Sequence, residues 1–218
     1  MNSLVKLEWQ SPSTALVQMQ DLTTKNTLSK DLITQLATSF TEINNNQQAK
    51  VVILTGLESQ FCCGNSTLDY QQEALHHLLL NCELPIIAAV QGDALGDGLA
   101  LAAFADVILL AEESNYSSNY LDESMTPGMG AAYILPKKLG SLLGAELLFS
   151  SQQYTGHLLK ARNTPIRIIP KEKVLATAME LTKDFDEKLS VSLRLLKKNI
   201  TDTIKLEILN FSSDSKFG

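Results

Sequence analysis

Apolar and polar positions alternate from Leu4 to Trp9 and again from Ala15 to Met19, either side of a Ser-Pro-Ser turn. A period of two predicts two half-buried strands. The period then changes. Leu32, Ile33, Leu36, Phe40 and Ile43 fall on one face of a helix over Leu28 to Ile43, with Ser29 as its N-cap. Val51 to Thr55 is continuously apolar and ends at Gly56, the mark of a strand buried on both faces. Pro85 to Val90 and Val107 to Ala111 read the same way, and Leu99 to Phe104, apolar with small residues, reads as a buried helix. A helix containing Ala74 to Leu80 is expected to stop at Pro85.

Further along, Glu112 to Gly130 is rich in Ser, Asn, Tyr and Gly and reads as a loop. Helical spacing resumes at Ala131 to Leu135 and Ser141 to Phe149. A short strand is expected at Ile166 to Ile169, then a helix over Lys171 to Leu196 with a break near Leu189. The polar end, Ser212 to Gly218, is expected to fray. Strands alternating with helices predict an α/β fold, a mostly parallel sheet covered by helices. The 218 residues suffice for one domain, 1–218, with a substantial core.

Composition narrows the class. The chain is 44% hydrophobic and 19% charged, ordinary for a globular protein. A formal net charge of −6 argues against nucleic acid or an anionic membrane as the main partner. The apolar run Leu95 to Leu110 contains Asp97 and Asp106 and is too short to span a bilayer. Cys62, Cys63 and Cys82 form no CxxC pair, and His76, His77 and His157 show no zinc-like spacing. Reduced thiols and the lack of a signal-like N-terminus point to a cytoplasmic protein.

Candidate chemistry lies in two glycine-containing turns, each after a buried strand. They are Phe61-Cys62-Cys63-Gly64-Asn65 and Gly92-Asp93-Ala94-Leu95-Gly96-Asp97-Gly98. Ligands of α/β sheets gather at the carboxyl ends of strands, and glycine permits close approach. Two backbone N–H groups aimed at one point make an oxyanion hole. Either turn alone is a weak signal. The second is no dinucleotide fingerprint, since its spacing departs from GxGxxG.

In order along the chain, six blocks resemble the crotonase (enoyl-CoA hydratase/isomerase) superfamily. They are Asp21 to Leu28, Val51 to Gly56, Phe61 to Asn65, Pro85 to Gly92, Phe104 to Val107 and Thr126 to Gly130. The resemblance implies a ββα spiral whose C-terminal helices, about residues 187–218, build a homotrimer. It implies that the N–H groups of Asn65 and Asp97 form the oxyanion hole, beside Gly64, Gly96 and Gly98. Lys25 would meet the phosphate of a carrier arm or CoA, or is simply a solvated lysine. Tyr120 would line the pocket or merely pack. Asp97 stands where the family usually has glycine. Its carboxylate would oppose an enolate unless it points away, and an outward-pointing aspartate at a helix start is the plainer expectation.

The family's hydratases carry two glutamates, and the matching positions here are Ala100 and Tyr120. Without them the acid–base pair that adds water is lacking. Asn81 to Pro85, Pro127 to Ala131 and Pro136 to Gly140 are most similar to the decarboxylases of polyketide β-branching. That resemblance implies conversion of 3-methylglutaconyl to 3-methylcrotonyl on an acyl carrier protein, with no cofactor. Those decarboxylases also carry a lysine in the loop after the first turn and a histidine in the C-terminal helix. Here no lysine lies between Ser66 and Cys82, no histidine follows His157, and Phe211 or a neighbour takes the histidine's place. Either segments carrying these groups are absent from this sequence, or the protein has lost them. An acyl-CoA isomerase or hydrolase, and a silent module that docks a carrier protein, therefore remain as alternatives. His76 or His77 as a proton donor, and Lys137 with Lys138 as a docking patch for an acidic carrier, complete the candidates.

Overall fold

The computed structural model describes residues 3–64, 77–121 and 130–214, with side chains to residue 210. Strands β1 (Val5–Trp9) and β2 (Thr14–Met19) form where strands were expected and pair antiparallel, but β2 is buried on both faces rather than half-buried, because it lies between β1 and the strand at Val51–Thr55. Helix α1 (Lys30–Asn45) follows, and the Ser29 side chain accepts the N–H of Leu32 as the expected N-cap. The buried strands are β3 (Val51–Thr55), β5 (Ile86–Val90) and β7 (Val107–Ala111). With β10 (Arg167–Ile169) they complete a six-stranded sheet in the order β1-β2-β3-β5-β7-β10, parallel from β2 onward.

A second sheet was not expected. It consists of β4 (Gln60–Cys62), β6 (Asp93–Leu95), β8 (Asn115–Ser117) and β9 (Tyr154–Thr155) in that order. These strands are two or three residues long, too short to display a period of two. They fall within segments read as turns and loops.

The helices are the turn α2 (residues 77–80), α3 (Asp97–Ala103), α4 (Ala131–Leu139), α5 (Ser141–Ser150), α6 (Gly156–Ala161), α7 (Lys171–Asp186) and α8 (Ser190–Asp214). The break near Leu189 separates α7 from α8 as expected. Helix α8 runs past Leu196, the end expected from the apolar spacing, and through most of the helical region 187–218 that the family resemblance implies.

The six-stranded sheet is covered on both faces, which explains its continuous apolar strands. Val51, Ile53, Ile87, Ala89, Leu109 and Ala111 face α7 through Val174 and Ala178. Val52, Leu54, Ile86, Ala88, Val90, Ile108 and Leu110 face the opposite way, into the larger core that holds α1, α3, α4 and α5. Full burial of each such large side chain contributes about 1.5–3 kcal/mol.

Polar anchors hold α8 to this frame. Lys197, almost fully buried, places its ammonium 2.7 Å from Asp106 Oδ2, which also accepts the Ile86 N–H at 2.8 Å. Arg194 donates to the carbonyls of Asn44 and Asn46 at the end of α1. Removing one partner of a buried ion pair leaves the other desolvated and uncompensated. Lys197→Ala should therefore destabilise the fold by about 3 kcal/mol, read as a lower urea midpoint with an unchanged slope.

Candidate active site

The first turn is shaped from beneath by Asn26. This residue is fully buried and left-handed (φ 58°), a conformation that Asn tolerates better than most residues. Its Nδ2 donates to the carbonyls of Met19 at 3.2 Å and Phe61 at 3.0 Å, and its Oδ1 accepts the Asp21 N–H at 2.7 Å. The Cys62 thiol donates to the Asn26 carbonyl at 3.0 Å. One amide thus ties β2, the loop after it and β4 together. Asn26 lay inside a matched block but was not singled out by the sequence. Its signal was an asparagine at a loop reversal.

Asp21 closes the same loop, accepting from the Thr23 and Thr24 N–H groups and the Thr24 hydroxyl. The hydroxyl bond is the main reason its carboxyl sits below the usual range. At the end of the turn, the Gly64 carbonyl accepts the Leu28 N–H at 2.8 Å. Gly64 has φ +88°.

The second turn is gripped from the other side. Gly96 has φ +55°, and its N–H donates to the Ser117 carbonyl at 2.9 Å. Helix α3 starts at Asp97 and lies directly on β4. A methyl group at Gly98 would sit 2.3 Å from the Cys62 carbonyl oxygen, so glycine alone fits there. The two turns meet. A methyl group at Gly64 would lie 3.6 Å from the Asp97 nitrogen and 3.1 Å from the Leu95 carbonyl oxygen.

Asp97 does not point outward as expected. It is 1% exposed, and its Oδ1 accepts the Tyr120 hydroxyl at 2.8 Å. Tyr120, 2% exposed, does not pack by its ring alone; its hydroxyl donates to the carboxylate. Ala100, the other position matched to a hydratase glutamate, is buried in α3. Asn65 and His76 lie outside the described residues, as does the side chain of Phe211. His77 is exposed at the start of α2.

Lys25 is exposed, and its positive charge favours the Cys63 thiolate, which places it beside the first turn. The docking patch is not formed. Lys137 joins Tyr133 and Glu207, while Lys138 turns inward and donates to the Ala105 carbonyl at 2.8 Å. Burial holds the Lys138 ammonium below its usual range. Among the described residues no group of His, Cys, Asp and Glu is placed to hold a metal ion, and no helix is long and apolar enough to cross a membrane.

Known proteins share this fold. The Enoyl-CoA hydratase/isomerase family profile matches residues 10–213. The bacillaene synthase decarboxylase PksI of Bacillus subtilis (strain 168) is 39% identical over 199 residues, covering 87% of this chain and 80% of that protein. A solved structure of a dehydratase/decarboxylase enzyme couple involved in polyketide beta-branching superposes with TM-score 0.90 at 35% identity, covering 97% of this chain and 95% of its own. The ECH2 decarboxylase domain of CurF from Lyngbya majuscula gives TM-score 0.89 at 32% identity, covering 96% and 89%. The mitochondrial methylglutaconyl-CoA hydratase of Rattus norvegicus is 24% identical over 206 residues, covering 85% of this chain, which spans 64% of that protein.

The three thiols differ in burial. Burial pushes Cys62 up to about 12 and Cys82 up to about 11. At Cys82 the Lys197 ammonium opposes burial, while the Asp106 carboxylate adds to it. Cys63 is also raised by burial, but it is only half-buried and Lys25 opposes the shift. Alkylation proceeds through the thiolate. Iodoacetamide at about pH 8 should therefore label Cys63 first and spare Cys62 and Cys82 until the protein unfolds, as read by peptide mass spectrometry.

Proposed function

The chain belongs to the enoyl-CoA hydratase/isomerase family, and we propose that it decarboxylates a 3-methylglutaconyl thioester on an acyl carrier protein, giving the 3-methylcrotonyl thioester of polyketide β-branching. The observation that carries this reading is the apposition of Gly64 to the Asp97 nitrogen, in a site whose hydratase glutamate positions hold Ala100 and Tyr120. The similarity to PksI and to the CurF decarboxylase domain supports the same reaction.

The chemistry follows from where charge develops. The bond to the substrate carboxylate breaks and CO2 leaves. The electron pair spreads into the unsaturated thioester, whose oxygen becomes negative. The N–H groups of Asn65 and Asp97 donate to that oxygen, and addition of one proton to carbon completes the product. Donors fixed before the reaction need no reorganisation as the charge appears, and each contributes about 100- to 1000-fold in rate. Neither Ala100 nor Tyr120 supplies the carboxylate that would activate water. Lys25, exposed beside the first turn, is the cation proposed to meet the phosphate of the carrier arm.

Incubation with 3-methylglutaconyl acyl carrier protein, without added metal or nucleotide, should remove one CO2 from the acyl group by mass spectrometry. Asn65→Pro deletes one donor and should slow this by at least about 100-fold. Hydration or isomerisation of a simple enoyl-CoA, with no CO2 released from the carrier substrate, would overturn the assignment.

The assembly is proposed as a homotrimer. Leu193, Ile204 and Ile208 turn α8 onto its own domain, whereas Val191, Leu195, Leu206 and Leu209 are exposed along another face. Leu193 is thus buried within the protomer, while Leu195 and Leu196 remain exposed. A helix apolar on two faces is suited to a second contact. Light scattering at micromolar concentration should give the trimer mass; a monomer would refute it.

A further inference from the structure

We infer that Tyr120 is a positioning residue for the oxyanion hole, holding the Asp97 carboxylate away from the acyl oxygen that the Asp97 N–H serves. The inference rests on the thioester reading above. One residue brings both a helpful and a harmful group to the same place. The Asp97 N–H favours negative charge on the thioester oxygen, while a carboxylate swung toward that oxygen opposes it. Fixing the carboxylate elsewhere removes the conflict without changing the backbone.

The structure supplies the fixing contact and its foundation. The Tyr120 hydroxyl lies 2.8 Å from Asp97 Oδ1, with both residues at most 2% exposed. The length is ordinary for an O–H···O hydrogen bond, and burial keeps water from competing for it. Tyr120 is itself held, since its N–H donates to the Ser118 carbonyl at 2.6 Å and the Ser118 hydroxyl donates to the Leu147 carbonyl of α5 at 2.6 Å. Ser117 and Asn119 bear on the same turn. The Ser117 carbonyl accepts the Gly96 N–H at 2.9 Å, and Asn119 Oδ1 would stand 2.7 Å from a methyl group at Gly96. Residues 117–120 therefore grip Gly96 and Asp97 from one side, and Tyr120 is the part of that grip that reaches the charge.

The test is a double-mutant cycle on the full chain with Tyr120→Phe, Asp97→Asn and the pair. Two readouts are used. The first is kcat and KM for CO2 release from 3-methylglutaconyl acyl carrier protein. The second is the infrared carbonyl band of bound 3-methylcrotonyl-pantetheine carrying a 13C thioester carbonyl, which reports polarisation of that oxygen without turnover. With Asp97 present, Tyr120→Phe should lower kcat about 10- to 100-fold, leave KM within about twofold, and abolish most of the band shift. With Asp97→Asn present, the same substitution should cost less than about threefold and leave the band in place, because there is no charge to restrain. Equal losses in both backgrounds, or a fall in kcat with the band unmoved, would overturn the inference. If Tyr120→Phe does not fold, the double variant decides. Recovery of folding by Asp97→Asn supports the coupling, and failure of both makes Tyr120 a packing group. A wild-type band shift without CO2 release would remove the decarboxylase reading alone; no wild-type shift would remove the inference.

Discussion

Everything at the site depends on how closely α3 can approach β4. The contact is backbone against backbone: at Gly98 even a methyl group would stand 2.3 Å from the Cys62 carbonyl oxygen. That approach brings the Asp97 nitrogen up to Gly64, so that two turns from separate crossovers meet. The parallel sheet makes this possible. Adjacent parallel strands end on the same side, so the turns that follow β3 and β5 are neighbours in space. The small second sheet then keeps them there, since β4 pairs with β6 and β6 with β8.

Close backbone packing leaves little room for water, so polar groups near the turns must find partners within the protein. Asn26 answers this for the first turn by linking three carbonyls or N–H groups that no regular strand pairing reaches. Asp93 does so for the second, accepting the Asn115 N–H at 2.8 Å and the Asn115 side-chain amide at 3.2 Å. These short-range bonds serve as scaffolding. They set the direction of the backbone N–H groups on which thioester chemistry relies, and they do it with side chains that need not touch substrate.

Much of this was legible in the sequence. The continuous apolar runs at Val51 to Thr55, Pro85 to Val90 and Val107 to Ala111 announced a sheet buried on both faces, and α1 was marked by its spacing and by Ser29. Three features were hidden for physical reasons. The strands of the second sheet are too short to show their own alternation. The apolar spacing of α8 was followed only to Leu196, although the family resemblance implied helix beyond it. Yet Leu193, Lys197, Thr201, Ile204 and Ile208 continue one inward face, and the lysine is buried because Asp106 neutralises it. The link between Asp97 and Tyr120 spans 23 residues and has no periodic signature.

That last contact also shows how a shared fold changes its chemistry. A site that adds water to a double bond needs carboxylates free to exchange protons with solvent and substrate. At the corresponding positions this chain has a methyl group, Ala100, and a phenol, Tyr120. The acid that opens α3, Asp97, is buried and accepts that phenol's hydrogen bond. On the proposed mechanism, the site lacks the carboxylates that would exchange protons at the reacting carbon and keeps the backbone donors that favour an enolate. For a reaction whose difficult step is to form an enolate by losing CO2, this is the appropriate division. The substrate supplies its own leaving carboxylate, and the protein's task is to hold negative charge on oxygen until a single proton arrives. On that reading, the substitutions that remove water addition leave intact the backbone donors that decarboxylation requires.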